Sequence, residues 1–180
     1  MSTSRLRTQV RRALPTVLVG LFAGVAGVVG SYAVAGYTPT FVVSPVADLL
    51  RAVMPDVVIR YAITILGSLG QQLSLLTAFL LVIGGIGTLA ALSMAVGERL
   101  NNRALPVVLT TVATWGVAVT LTDTLVLSLG AGLPAGGVVL LAEAVPSLPV
   151  ATDVDEGRRT VVASALSVLG FSAVGYAVGQ

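Results

Sequence analysis

Ten arginines and eight carboxylates are all the charge in this 180-residue chain, which contains no histidine and no cysteine. Without histidine the commonest metal ligand, the usual general base and the axial ligand of most haems are missing. Without cysteine there are no disulfides, thiolate metal sites or catalytic thiols. A nucleophile, a base and an orienting third group cannot be assembled from what remains, and no two carboxylates share a helix face within an apolar segment. An active site is therefore not expected: no catalytic, cofactor-binding or metal-binding residue can be assigned. Two carboxylates matter by position. Glu143 and Asp123 border long uncharged stretches, where an ionisable group is costly unless protonated, paired or hydrated. Asp56 and Arg60 are four residues apart, the spacing of a helical ion pair. Arg158 and Arg159 stand together before an uncharged tail. These six residues are the candidate functional groups.

The elements that position them follow from where charge is absent. Uncharged stretches occupy 13–47, 61–97, 104–122, 124–142 and 160–180, each long enough for the roughly 20 apolar residues of a membrane-crossing helix. With 56% hydrophobic and 10% charged residues and a mean hydropathy of +0.99, the chain lies far from the roughly 25% charged content of soluble domains. The expected fold class is all-α, an integral membrane bundle of about five transmembrane helices in a single membrane domain, 1–180. The spans are expected at 14–36, 69–96, 105–121, 126–147 and 161–179. The first apolar run is too long for a cleaved signal segment and is read as a retained span. The net charge of +2 is scattered at span edges and forms no basic face, so nucleic acid is not an expected partner; the lipid bilayer is.

Residues 37–68 form an outer loop expected to hold two short amphipathic helices. In the first, Ser44 is placed as N-cap and Pro45 at the first helical position, with Val46, Leu49, Leu50 and Val53 on one face and Asp48 and Arg51 opposite. The second opens at Pro55-Asp56 and stops near Gly67. The loop reads as an interfacial cap on the bundle or as a re-entrant hairpin. Ser68-Leu69-Gly70-Gln71 has the form of a capping box at the start of the second span. That span is long enough to require tilt, and Gly84, Gly85 and Gly87 soften its middle. Pro106 suits the start of the third, an antiparallel neighbour across the short 98–103 loop.

The fourth span has two possible registers. A start near Val126 puts a kink at Pro134 and Glu143 near the far end; a start at Pro134 puts Glu143 near the midplane. The earlier start is preferred, with Pro146 and Pro149 ending the helix. Small residues at Gly20 and Gly24, Gly132 and Gly136, and Gly175 and Gly179 allow either self-association or packing within one bundle, with Gly27 and Gly30 extending the first stripe. Counting arginines puts the N-terminus in the cytoplasm: eight then lie inside and only Arg51 and Arg60 outside, with the C-terminus extracytoplasmic. Arg158-Arg159 reads as a positive flank of the last span or as a twin-arginine export signal.

The layout, with the stretches 41–47 (FVVSPVA) and 55–69 (PDVVIRYAITILGSL) and with Gly157-Arg158-Arg159 leading into the last span, resembles the N-terminal membrane region of prokaryotic sulfite-oxidase-like molybdopterin oxidoreductases. The resemblance extends over the whole chain but covers only the anchoring part of that family. It implies a membrane anchor or partner subunit for an extracytoplasmic oxidoreductase, with molybdopterin held in a partner domain and no cofactor in this chain, which lacks the cysteine that ligates molybdenum in such domains. The alternative is a small multi-span transporter or channel component using Glu143 and the Pro134 region.

Overall fold

A computed structural model describes residues 3–55, 57, 68–144 and 162, and shows an all-helical chain. Five helices are described: α1 Thr3–Ala35, α2 Val43–Val53, α3 Ser68–Leu100, α4 Leu105–Thr122 and α5 Leu129–Ala144. Among the described residues three apolar segments are long enough to cross a membrane: Leu14–Ala35 in α1, Gln72–Leu100 in α3 and Leu105–Thr122 in α4. With 16 residues, about 24 Å at 1.5 Å per residue, α5 is shorter than a roughly 30 Å hydrocarbon core. The expected last span, 161–179, and the second loop helix, together with Asp56, Arg60, Arg158 and Arg159, lie outside the described residues, apart from helical Val57 and Val162.

α1, α3, α4 and α5 form a ring in which α1 packs on α3 and α5, and α4 closes the circuit by packing on the same two helices. The interior is built from small residues: Ala23, Ala26, Ala78, Ala90, Ala131 and Ala135 are fully buried. The outside is apolar as well, with Leu21, Leu80, Val112 and Leu133 exposed, the distribution expected where lipid rather than water is the solvent. Lipid offers no hydrophobic drive to bring helices together, so close backbone approach has to supply cohesion.

The glycine stripe of α1 makes that approach possible. A Cβ on Gly20 would lie 2.6 Å from the Gly87 carbonyl oxygen, and one on Gly87 would lie 2.9 Å from that of Gly20. One turn on, a Cβ on Gly24 would overlap the Ile83 carbonyl of α3. At Gly30 it would overlap the Gly130 carbonyl and the Pro134 ring of α5. Positions 20 and 30 differ by roughly 80° around a helix of 3.6 residues per turn, which is why one stripe serves two neighbours. Gly132 and Gly136 are filled in the same way, by Trp115 and Thr111 of α4. Gly84 and Gly85 have open space where a Cβ would be, and α3 runs through them without a break.

Between α1 and α2 the chain turns tightly. Gly36, at φ +62°, ends α1 with its N–H donating to the Tyr32 carbonyl, a left-handed closure that favours glycine. Phe41 is 1% exposed, with ring centroids 5.8 Å from Tyr32, 6.1 Å from Tyr37 and 5.9 Å from Phe79 of α3. The Val42 N–H donates to the buried Ser31 hydroxyl at 3.1 Å. Because that bond and the Phe41 anchor set the entry into α2, the helix begins at Val43 and its N-cap position falls on Val42, not Ser44. Ser44 lies in the first turn and donates its hydroxyl to the Thr38 carbonyl at 3.0 Å. Pro45, the third residue of α2, is tolerated because the first N–H groups of a helix have no intrahelical partner.

α2 rests chiefly on α3. It does so through Val43 and Ala47, with Val46 and Leu50 partly buried, while Asp48 and Arg51 pair at 2.9 Å on the far side. Leu49 and Val53, expected on the buried face, are exposed among the described residues. The packed stripe is therefore 43, 46, 47 and 50, one helical step from the expected one.

At the other end of α4, Thr122 and Asp123 end the helix with Asp123 at φ +53°, and residues 125–128 form a turn before α5. A hydroxyl cluster stiffens it: Thr122 contacts the hydroxyls of Thr124 and Ser128, each at 3.0 Å, and Ser128 donates to the Thr124 carbonyl. α5 thus begins at Leu129, between the two starts that the sequence leaves open, with Pro134 inside it.

Candidate functional site

The two carboxylates bordering the apolar stretches occupy opposite ends of the bundle. Asp123 is exposed in the turn after α4, where its N–H donates to the Val119 carbonyl at 2.8 Å. Next to it the only tryptophan, Trp115, donates its indole N–H to the Leu125 carbonyl at 2.9 Å, tying α4 to the turn. Glu143 lies in the last turn of α5 at the end of the bundle formed by the 98–104 connection. The fold does not bring Asp123 and Glu143 together.

Around Glu143 a polar cavity of about 250 Å³ is lined by Glu98, Asn101, Asn102 and Arg103, with Gly97 and Pro106 as its apolar wall. Two carboxylates and one guanidinium share the space, while the only ion pair within 4.0 Å among the described residues is Asp48–Arg51. The connection reads in sequence as a short polar link, yet its geometry is specific. Asn101 adopts φ +49°, its N–H donates to the Glu98 carbonyl at 3.3 Å, and the Asn102 N–H donates to the Gly97 carbonyl at 3.1 Å. This is a Schellman closure of α3, with Asn101 in the left-handed position that asparagine accepts better than other side-chain-bearing residues. The Asn102 Oδ1 then accepts the Ala104 N–H at 3.0 Å, starting α4. A Cβ on Gly97 would overlap the Pro106 ring, so the two helices touch as soon as they have turned.

Asn101→Gly is expected to leave stability unchanged within about 0.5 kcal/mol, while Asn101→Val is expected to lose about 1–2 kcal/mol, since a β-branched side chain is strained at positive φ. Unfolding of the detergent-solubilised chain followed by Trp115 fluorescence checks both.

Comparison with protein-family models, curated proteins and solved structures finds no match to this chain.

Among the described residues no group of histidine, cysteine, aspartate and glutamate could hold a metal ion. The side chains that line the cavity can hydrogen-bond and carry charge. A second kind of group, absent from the sequence candidates, emerges from burial. The hydroxyls of Ser74, Thr110 and Thr114 are buried without a hydrogen-bond partner. Other hydroxyls on these helices donate to carbonyls of their own helix: Thr77 to Leu73, Ser93 to Leu89, Thr111 to Val107 and Thr122 to Ala118, each at 2.8 Å. Thr110 and Thr114 depart from that habit, and an unpaired buried hydroxyl costs about 1–3 kcal/mol. No motif marks them; only helix rotation and neighbours distinguish them from Thr111.

Proposed function

We propose that this chain is a membrane anchor or partner subunit, N-terminus cytoplasmic, for an extracytoplasmic sulfite-oxidase-like molybdopterin oxidoreductase. One observation carries the anchoring part: in the described spans every ionisable residue lies at a helix end, and the helices lock together through glycine against backbone. Coupled transport would place charge along a broken helix within the membrane. A static, uncharged bundle suits a subunit that holds another protein at the lipid surface. The identity of the partner rests on the resemblance of residues 41–47, 55–69 and 157–159. Molybdopterin belongs to that partner, because no cysteine of this chain can ligate molybdenum. On this reading the last expected span and the second expected loop helix, which lie outside the described residues, belong to the anchor as well.

Purifying the tagged chain from its native membranes and measuring molybdenum in the eluate tests the assignment. Roughly stoichiometric metal is expected, and its absence would remove the oxidoreductase partner. The polar cavity at Glu143 supplies the opposing expectation of a carboxylate-dependent carrier. Glu143→Gln is expected to leave membrane insertion and partner recovery unchanged; loss of a proton-driven flux in vesicles on that substitution would instead support transport.

A further inference from the structure

Charge that is scattered in sequence is sorted by the fold to the two ends of the bundle. Gly20 faces Gly87 and Gly24 faces Ile83, so α1 and α3 are antiparallel and each step toward the start of α1 is level with a step toward the end of α3. By that register Arg7, thirteen residues before Gly20, is level with Leu100, thirteen after Gly87. Arg5, Arg7, Arg11 and Arg12 therefore lie at the same end as Glu98, Arg99, Arg103 and Glu143. Among the described residues this end carries six cations against two carboxylates, and the other carries the Asp48–Arg51 pair and Asp123. No carboxylate precedes Asp48 in the chain. The helix also sets the height of the cations. Its apolar segment Leu14–Ala35, 22 residues or about 33 Å, matches the hydrocarbon, and α1 continues unbroken through 3–13, about 16 Å more. Arg11 and Arg12 are then within about 5 Å of the hydrocarbon edge, inside the headgroup layer. Arg5 and Arg7 are beyond that layer by no more than a Debye length, about 8 Å at physiological salt.

We infer that this end of the bundle gathers anionic phospholipids around the first turns of α1. Charge complementarity selects them. Four cations on a segment without a carboxylate attract a headgroup of net negative charge, whereas a zwitterionic headgroup gains little from them. Nucleic acid would have to displace headgroups from the layer in which Arg11 and Arg12 lie. Helix rotation supplies the access. Positions 7 and 11 fall roughly 160° around α1 from the stripe Gly20, Gly24, Gly27 and Gly30 that packs on α3 and α5, which is the side turned to lipid. The attraction acts in whichever leaflet this end occupies, so the inference does not depend on the anchoring role.

Because the chain has no cysteine, a fluorophore can be attached at a single introduced site. The full chain carrying Ala13→Cys, or Val126→Cys in the turn at the opposite end, is placed in nanodiscs of equal phosphatidylglycerol and phosphatidylcholine, with one lipid or the other brominated near its ester groups. At position 13 phosphatidylglycerol is expected to outnumber phosphatidylcholine in the quenching shell by about three- to tenfold, and at position 126 the two should quench about equally. Arg7→Gln with Arg11→Gln should lower the excess, and changing all four arginines to Gln should remove it. Changing all four to Lys should keep it, and about 1 M NaCl should screen it. Trp115 fluorescence during denaturation checks that the Gln variants fold; if they do not, the Lys variant and the comparison of the two ends still decide. Equal quenching by the two lipids at position 13, an equal excess at both ends, or an excess that survives loss of all four arginines overturns the inference. So does a labelled oligonucleotide retained by the nanodiscs in place of a phosphatidylglycerol excess.

Discussion

Gly24→Leu is expected to separate α1 from α3 and to be the most damaging single substitution in the described bundle. A Cβ at this position would already overlap the Ile83 carbonyl, and the obstacle is backbone, which cannot change rotamer. The neighbouring pair Gly20 and Gly87 makes reciprocal close contacts, so the helices cannot yield at one site without losing the other. Overpacking a well-filled core costs about 1–3 kcal/mol when side chains can adjust, and the upper end or more is expected where they cannot. The helix-propensity gain of up to about 1 kcal/mol on replacing glycine does not offset this. Gly84→Leu on α3 provides the control, because nothing lies within 4 Å of a Cβ there. Trp115 fluorescence during denaturation in mixed detergent should show a lowered midpoint for Gly24→Leu and an unchanged one for Gly84→Leu. Equal midpoints would mean that α1 and α3 do not approach as described.

Phe41→Ala is expected to cost about 3 kcal/mol, the lower end of the range for removing a buried aromatic ring. Phe41 is the largest fully buried side chain among the described residues, and its ring joins α1, through Tyr32, to α3, through Phe79. Its loss would also loosen the adjacent Val42 N–H bond to Ser31, which sets the start of α2. Tyr37 touches the same ring but is 67% exposed, so Tyr37→Ala should lose less than about 1 kcal/mol. Hydrogen exchange should show α2 opening first in Phe41→Ala while the α4–α5 pair stays protected. Uniform loss of protection would refute a local role for Phe41.

If both results hold, the bundle is a rigid support whose packing is distributed over backbone contacts and one aromatic plug. Such rigidity suits the anchoring role proposed above.

Much of this was legible in the residues themselves. Long uncharged runs identify helices suited to lipid, since spanning segments must satisfy their own backbone bonds and exclude charge. A short helix after the first span and the breaks near 36–42 and 101–104 follow from local composition, but the face that α2 buries and the start of α5 at Leu129 do not. Gly20 and Gly24 announced a close helix contact, but which helix they face depends on how α1 rotates against α3 and α5. That is a property of three packed helices, not of one segment. Likewise Glu143 reads as a lone carboxylate near a helix end. Only the tertiary arrangement places it beside Glu98 and Arg103, because groups distant in sequence share a cavity when their helices return to the same end. The hydroxyls of Thr110 and Thr114 are indistinguishable in sequence from that of Thr111. The structure separates them by neighbour and rotation, since burial and hydrogen-bond partners are decided by what another helix brings alongside.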